Sequence, residues 1–596
     1  MKLSILATVS VLALAAATPA FAQNNTSNIN QSGSTNNGAV TQSGSGSAST
    51  LTQNGSSNVA TIGQSGSDQK SLVNQQASGA AATITQSGED NDSEVQQSAD
   101  ADVTVVQSGS NTLGGYSPDG FPNNRSTVTQ SAAGARAGVN QNGTLNRSTI
   151  SQAADADADV SQTGTFNNST IDQQAGAGGA IADVIQGGDY GDNRSAIVQS
   201  GSSEARVSQR NVDAPPPASA YPGNESDINQ SGDDNLADVN QTGDDNRSLI
   251  VQSGDNNDAF VVQNGTNNRS SVTQSSAGAV ADVLQDGSGN QSDITQQDDA
   301  GGVAGVEQTG NNNTSAITQN SLGSQAQVNQ SGNGNASTLT QGRNNGNAFQ
   351  TNSQEALIDQ SGDDNVSIAT QTGSSGDLNL DQSGDRNRSE ITQTGFDNSA
   401  GDSDGGTIGV DQSGDDNRAF ITQSGQLASA RVNQSGNDNL ATINQSVNNN
   451  PNPAGGPDPV VTSATIQQIG DANVSTITQY ESAPQSSSER LMSATSIQSG
   501  SGNSSLINQT NSLTGTFAFS GNSVNVSQGG DDNDSIVSQD GVSNTASVTQ
   551  SGDGNNSVVN QLGSNNQATV SQVSAGNASN VTQSGNNNIA NVSQGM

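Results

Sequence analysis

The segment that decides the fold is residues 235–263, which read NLADVNQTGDDNRSLIVQSGDNNDAFVVQ. Its glutamines Gln241, Gln252 and Gln263 are eleven residues apart. Before each glutamine, an asparagine, a small residue and a β-branched or leucine residue take alternate positions, and a glycine follows the glutamine by two. Alternation with period two predicts a strand with one buried face, and glycine with Asn and Asp predicts a turn. Each unit is therefore expected to be one short strand and one tight turn.

The same spacing extends over most of the chain. It runs from Gln31 to Gln97, from Gln230 to Gln296 and again from Gln528 to Gln594. Roughly 47 such units can be counted, which is the sequence signature of a repeat architecture. A right-handed helical coiled coil also has an eleven-residue period. That alternative fails because a glycine in nearly every unit would destabilise a helix and because the apolar residues lack helical spacing.

Two units would make one coil of about 22 residues, so that residues 22 apart lie above one another. The predicted fold is all-β: a β-solenoid, or cross-β stack, of strand-turn-strand coils with two parallel in-register sheets. Parallel stacking lets identical amides hydrogen-bond along the stack, whereas an antiparallel meander, which the sequence leaves open, would lose that benefit. The predicted ladder residues are Gln230, Gln241, Gln252, Gln263, Gln274, Gln285, Asn235, Asn246, Asn257 and Asn268, and the predicted turn glycines are Gly232, Gly243, Gly254 and Gly265.

The ends of the repeat array and its interruptions define the expected domains. Residues 1–22 have the apolar run and the small-x-small triplet of a secretory signal peptide, with cleavage expected before Gln23. The array then covers residues 23–596, with loops extruded from turns near 110–123, 210–223, 396–406, 447–462, 480–492 and 510–521. Every proline after the signal peptide falls where the spacing is interrupted, as expected because proline cannot donate to a strand ladder. The last unit is regular up to Gln594, and such an uncapped strand edge is expected in a polymerising subunit.

Composition argues against enzymatic chemistry. The chain has no Cys, His or Trp, so zinc sites and Cys or Ser-His nucleophiles are excluded or handicapped, and no catalytic, metal or cofactor site is expected. Only 29% of the 596 residues are hydrophobic and 2% aromatic, too little for several ordinary globular cores. The formal net charge of -40 disfavours nucleic acid and anionic lipid as partners. No later segment is apolar for long enough to insert in a membrane.

Residues 257–265, NDAFVVQNG, and residues 439–445, NLATINQ, resemble the curlin repeat Q-x-G-x-x-N-x-A-x-V-x-Q. The resemblance implies a structural subunit of an extracellular curli-type amyloid fibre of a Gram-negative bacterium, acting in cell adhesion and biofilm matrix. It implies other copies or another curlin-type subunit as partners, and export through an outer-membrane pore. The alternative is a monomeric secreted β-solenoid binder, either an adhesin rod or an ice-binding protein, suggested by outward Thr pairs such as Thr338 with Thr340. Disorder is a third interpretation, which the strict spacing and the exclusion of proline argue against.

Charged residues concentrate at the turns and strand starts. Acidic pairs such as Asp233-Asp234 precede the strand-starting asparagine, and arginines such as Arg247 and Arg269 follow it directly. We expect the arginines to pair with turn carboxylates at small energetic gain. The acids are expected to be solvated and to slow aggregation by mutual repulsion.

Overall fold

A computed structural model describes residues 24–109, 123–188, 192–211, 223–297, 301–342, 354–374, 376–396, 407–426, 428–448, 462–481, 492–511 and 521–595. Throughout these ranges the regular structure is β-strand. No helix that could cross a membrane occurs in them. The expected signal peptide, residues 1–22, and most of each expected extruded loop lie outside the described residues. The chain divides into two compact units, up to Thr170 and from Ile171 onward.

The first unit contains twelve strands, and a thirteenth spans the boundary. They are β1 (Thr26–Gln31), β2 (Asn37–Ser45), β3 (Ala48–Gln53), β4 (Val59–Ser67), β5 (Lys70–Gln75), β6 (Ala81–Glu89), β7 (Asp92–Gln97), β8 (Asp102–Gly109), β9 (Arg125–Gln130), β10 (Arg136–Thr144), β11 (Arg147–Gln152), β12 (Asp157–Thr165) and β13 (Asn168–Gln173).

The second unit contains the remaining strands. They are β14 (Ile181–Gly187), β15 (Arg194–Gln199), β16 (Glu204–Arg210), β17 (Glu225–Gln230), β18 (Leu236–Asp244), β19 (Arg247–Gln252), β20 (Asp258–Thr266), β21 (Arg269–Gln274), β22 (Val280–Ser288), β23 (Gln291–Gln296), β24 (Val303–Asn311), β25 (Thr314–Asn320), β26 (Gln325–Asn333), β27 (Ala336–Gly342), β28 (Glu355–Ser361), β29 (Val366–Ser374), β30 (Asp377–Ser383), β31 (Arg388–Phe396), β32 (Thr407–Ser413), β33 (Arg418–Gln426), β34 (Ala428–Ser435), β35 (Leu440–Asn448), β36 (Thr462–Ile469), β37 (Val474–Glu481), β38 (Ser493–Ser499), β39 (Ser504–Asn511), β40 (Ser523–Gly529), β41 (Asp534–Val542), β42 (Thr545–Gln550), β43 (Asn556–Ser564), β44 (Gln567–Gln572), β45 (Ala578–Ser584) and β46 (Ile589–Gln594).

Within each unit, odd-numbered strands form one sheet and even-numbered strands form the other. In the second unit, β17 pairs with β19 and β19 with β21, all parallel, so that Gln230, Gln252 and Gln274 lie in register. In the even sheet, β18, β20 and β22 align Gln241, Gln263 and Gln285 in the same way. The prediction of a β-solenoid with two parallel in-register sheets is confirmed, and the antiparallel meander is wrong.

The interior between the two sheets combines a narrow apolar layer with columns of amides and hydroxyls. In an odd strand such as β19, Ser248, Ile250 and Gln252 are buried and their neighbours face outward. In an even strand such as β18, Ala237, Val239 and Gln241 are buried. Because most strands bury only one Val, Ile or Leu, the polar columns contribute much of the contact between coils.

Insertions leave the register unchanged. Strand β8 aligns Gln107 with Gln141 of β10, 34 residues later, and β34 aligns Gln434 with Gln468 of β36, also 34 residues later. Strand β26 aligns Gln330 with Gln360 of β28, a step of 30 residues. Longer connections are tolerated because the entropic cost of closing a loop grows only slowly with its length.

Candidate assembly site: the amide ladders

The glutamines of each sheet form a directional column of side-chain hydrogen bonds. In the odd sheet, Gln230 Nε2 donates to Gln252 Oε1, and Gln252 Nε2 donates to Gln274 Oε1, both at 2.9 Å. In the even sheet, Gln241 donates to Gln263 and Gln263 to Gln285, at 2.8 Å. Every bond runs from one coil to the next coil along the chain, so each column has a donor end and an acceptor end.

The same glutamines also join the two sheets. Gln252 Nε2 donates to the Leu236 carbonyl at the start of the facing strand β18, at 3.0 Å, and Gln263 Nε2 donates to the Arg247 carbonyl of β19, at 3.0 Å. Both side chains are fully buried. Each glutamine thus fixes the spacing along the stack and the pairing across the core. Sequence reasoning missed this cross-sheet bond, although the glutamine's place near the end of the buried face of each strand was a usable signal.

The asparagine columns of the two sheets are not equivalent. In the column that begins the odd strands, Asn268 donates to Asn246 Oδ1 through its backbone N–H and through Nδ2, both at 3.1 Å, and Nδ2 also reaches the Gly287 carbonyl at 3.0 Å. In the column that begins the even strands, Asn257 N–H donates to Asn235 Oδ1 at 2.9 Å. There the Nδ2 groups of Asn235 and Asn257 are buried without a partner. In these coils the first column therefore adds more to cohesion.

Glycines follow the glutamines because neighbouring coils approach closely there. A Cβ on Gly243 would lie 2.0 Å from the Gly265 carbonyl oxygen, and a Cβ on Gly232 would lie 2.0 Å from the Gly254 carbonyl oxygen. Gly254 would meet the Ser276 carbonyl oxygen at 1.8 Å. Gly243 and Gly265 also have φ of 109°, which side chains disfavour. At these predicted positions any side chain would separate the coils.

The acidic turn residues have a conformational role that sequence reasoning missed. Asp234, Asp245, Asn256 and Asn267, each directly before a strand-starting asparagine, have φ of 55–57°. Asp and Asn tolerate this left-handed conformation better than other residues with side chains. Gly289, at the equivalent position of another turn, has φ of 73°. The alternation of Asp, Asn and Gly at this position was the available signal.

Arginines pair with carboxylates of neighbouring coils or of their own strand more often than with those of the adjoining turn. Arg194 and Arg247 lie on either side of Glu225 in the outer face of the odd sheet, with closest N···O distances of 3.8 and 3.6 Å. Arg247 also approaches Asp245 of the adjoining turn, at 3.7 Å, as expected. These groups are half-exposed, so each pair adds little stability.

The surroundings of several carboxylates on the outer faces of the strands disfavour their ionised form. Partial burial raises the pKa of Asp238, an effect that Arg206 opposes and Glu204 reinforces. Burial also raises the pKa of Asp227, reinforced by Glu225. Among the described residues, no group of three or more His, Cys, Asp or Glu side chains is arranged to hold a metal ion.

Together, the fold and its columns define a parallel β-solenoid whose coils are joined by stacked amides. The curlin associated repeat family matches residues 223–252, 243–275, 384–425 and 541–573. The chain therefore contains curlin associated repeats, as the sequence resemblance predicts. A comparison with curated proteins gives no match.

Proposed function

We propose that this chain is a structural subunit of an extracellular, curli-like cross-β fibre that serves cell adhesion and biofilm matrix formation. The supporting observation is the direction of the glutamine columns. At β1 and β2, the Oε1 atoms of Gln31 and Gln42 lie at the acceptor end, because these residues donate to Gln53 and Gln64. At the other end, Gln594 accepts from Gln572, so its Nε2 is oriented to donate onward. The last coil of one copy thus has Nε2 donors for the Oε1 acceptors in the first coil of another copy.

Apolar residues at the same coil faces support the proposal. Ile29 is 43% exposed, whereas Leu51, which stacks on it, is fully buried. Val592 in β46 is half-buried, whereas Val570, its partner in β44, is only 1% exposed. Stacking one copy on another would bury these residues and satisfy the open strand edges. The expected register places Gln583 on Gln31 and Gln594 on Gln42 of the next copy.

The cellular setting of the proposal rests on the curlin repeats and the leader sequence. Curli-type subunits are secreted, which suits export of this chain through an outer-membrane pore of a Gram-negative bacterium to a pilus-like surface fibre. Its partners are other copies of itself or a second curlin-type subunit. The role is structural rather than enzymatic.

The first test is whether purified mature chain polymerises. We expect thioflavin-positive fibres with a meridional reflection at about 4.7–4.8 Å. Soluble, monodisperse protein would favour the monomeric binder instead, and random-coil circular dichroism would favour disorder. Either result contradicts the fibre proposal.

The second test concerns the end register. The double variant Gln583→Glu, Gln594→Glu removes both donors, and burying an acceptor without its partner costs about 1–3 kcal/mol. We expect elongation from seeds to slow at least about tenfold, since about 1.4 kcal/mol corresponds to tenfold. The matched control Thr582→Glu, Ser593→Glu adds the same charge to exposed outer positions of the same strands and should elongate nearly as wild type. Equal rates for the two double variants would contradict the proposed register.

A further inference from the structure

The outer faces of the two sheets differ in charge within one stretch of the second unit. Before their glutamines, strands β25, β27 and β29 of the odd sheet each direct three residues outward, and none of these nine described residues is charged. They are Thr314, Ala316, Thr318, Ala336, Thr338, Thr340, Val366, Ile368 and Thr370, which we call the neutral face. Each is exposed or half-buried. In a chain with a formal net charge of -40, such a surface needs an explanation.

The even sheet of the same coils has the opposite character. Its strands β24, β26, β28 and β30 direct five carboxylates outward and no arginine or lysine. These are Glu307, Glu355, Asp359, Asp377 and Asp381. Two copies that met through the even strands of these coils would therefore repel, whereas two neutral faces could meet without bringing charges together.

The neutral face continues into an unbroken column of threonines. Thr273, Thr295, Thr318, Thr340, Thr370, Thr392 and Thr422 stack in register from β21 to β33. A column of identical β-branched side chains on parallel in-register strands is the surface that interdigitates when two sheets pack face to face. The isolated threonine pairs in the sequence did not reveal this column, because each strand contributes only one member.

We propose that the neutral face is a lateral interface at which two copies of this chain pack, odd sheet against odd sheet, with the acidic even strands β24, β26, β28 and β30 facing solvent. This surface is separate from the coil faces used for elongation, so the proposal goes beyond end-to-end growth.

The area of the neutral face determines how strongly single chains and filaments would pair through it. Three strands about 4.8 Å apart and about five residues wide cover on the order of 250 Å² per copy, or about 500 Å² for the pair. That is below the size of a specific interface between two single chains. Pairing of single chains would be weak, whereas filaments would pair firmly because each subunit adds another contact.

The chain has no cysteine, so a single introduced thiol can report on the pairing. Thr338 is the centre of the neutral face, and the centre of a symmetric interface faces its own copy. Facing sheets lie about 10 Å apart, so Thr338→Cys chains should be joined by a bifunctional thiol crosslinker of about that reach. End-to-end neighbours cannot give this product. Thr338 lies nine odd strands, or about 43 Å, from β45.

The matched control is Asn379→Cys, an exposed outward position on the even sheet. We expect most Thr338→Cys chains in fibres to run as crosslinked dimers and at least about tenfold fewer Asn379→Cys chains to do so. Fibres of Thr338→Cys that stay uncrosslinked, or equal crosslinking of both variants, would overturn lateral pairing and leave polymerisation intact. Crosslinked dimers without fibres would support pairing and contradict polymerisation. Neither fibres nor dimers would contradict both.

A charge variant gives an independent readout. Thr318→Lys, Thr370→Lys should halve the mass per unit length of the fibres while seeded elongation stays within about twofold of wild type. Gln327→Lys, Asn379→Lys adds the same charge to the even sheet and should leave the mass per length unchanged. Retention of the paired mass by the first variant would overturn the proposal.

Discussion

At the scale of single residues, glycine at the strand ends meets two separate demands. Gly265 has φ of 109°, and a Cβ there would lie 2.0 Å from the Gly287 carbonyl oxygen of the next coil. Gly323 has φ of 66°, but a Cβ there would meet nothing within 4 Å. Comparing substitutions at Gly265 and Gly323 therefore distinguishes the free-energy cost of the backbone conformation from that of the close approach between coils.

We predict that Gly265→Ala destabilises the surrounding coils by about 1–3 kcal/mol more than Gly323→Ala does, because only Gly265 also overpacks its neighbour. Gly323→Ala should cost about 1–2 kcal/mol for the left-handed backbone alone. The measurement is the free energy of local opening from amide hydrogen exchange in β18–β22 for Gly265→Ala and in β24–β26 for Gly323→Ala. Equal losses would mean that the approach between coils relaxes freely.

Single residues also show where sequence reasoning succeeds and where it stops. The register of Gln230 on Gln252 follows from their spacing, because a period of two strands brings equal positions together. The bond from Gln252 to the Leu236 carbonyl could not be derived, since it depends on the separation of the sheets across the core. The unpartnered Nδ2 of Asn257 could not be derived either, because the two turns of a coil share similar residues but differ in backbone path.

At the scale of strands, in-register pairing has a cost wherever a charge repeats. Asp359 of β28, Asp381 of β30 and Asp411 of β32 form one outward column in the even sheet. Burial, with the charges of Asp411 and Asp359 adding to it, raises the pKa of Asp381. A raised folded-state pKa means that protonation stabilises the fold. This stabilisation is complete below the ordinary Asp value near 4 and is lost as the pH rises through the raised value.

Asp381→Asn should therefore stabilise this part of the even sheet at pH 7 by about 0.2–1 kcal/mol, the usual range for a cross-strand pair. The gain should shrink toward pH 3, where the native carboxyl is protonated as well. Hydrogen exchange of amides in β28–β32 at the two pH values measures both effects. The outward neighbour change Asn379→Ser is the control and should show no such pH dependence. A destabilised Asp381→Asn chain at pH 7 would contradict the repulsion.

At the scale of the whole molecule, the arrangement predicted from the sequence is found because each coil aligns its glutamines with those of the coil before it. Insertions change the step between aligned glutamines from 22 to 30 or 34 residues, yet the pairing resumes at the same positions. What composition could not reveal is the unequal distribution of charge between the sheets. Consecutive strands of the chain lie in opposite sheets, so residues of neighbouring strands face opposite sides of the stack. Net charge therefore describes the chain but not either surface.

The same charge distribution predicts how growth depends on pH. The chain has 56 acidic and 16 basic residues, so copies repel one another at pH 7 before their coil faces meet. Near pH 4 many carboxylates are protonated, beginning with groups such as Asp227 and Asp238 whose pKa values burial raises. We expect seeded elongation to be severalfold faster at pH 4 than at pH 7, measured by thioflavin fluorescence at equal seed concentration.

High salt distinguishes the two causes of such an acceleration. At pH 7 in about 1 M salt the screening length falls to about 3 Å, so repulsion between exposed charges is removed while the carboxylates stay ionised. If long-range repulsion limits growth, salt at pH 7 should restore most of the rate seen at pH 4. If salt has little effect, protonation of the half-buried strand-face carboxylates is the cause, and Asp227→Asn with Asp238→Asn should accelerate growth at pH 7. Elongation no faster at pH 4 than at pH 7 would show that the acidic residues do not restrain assembly.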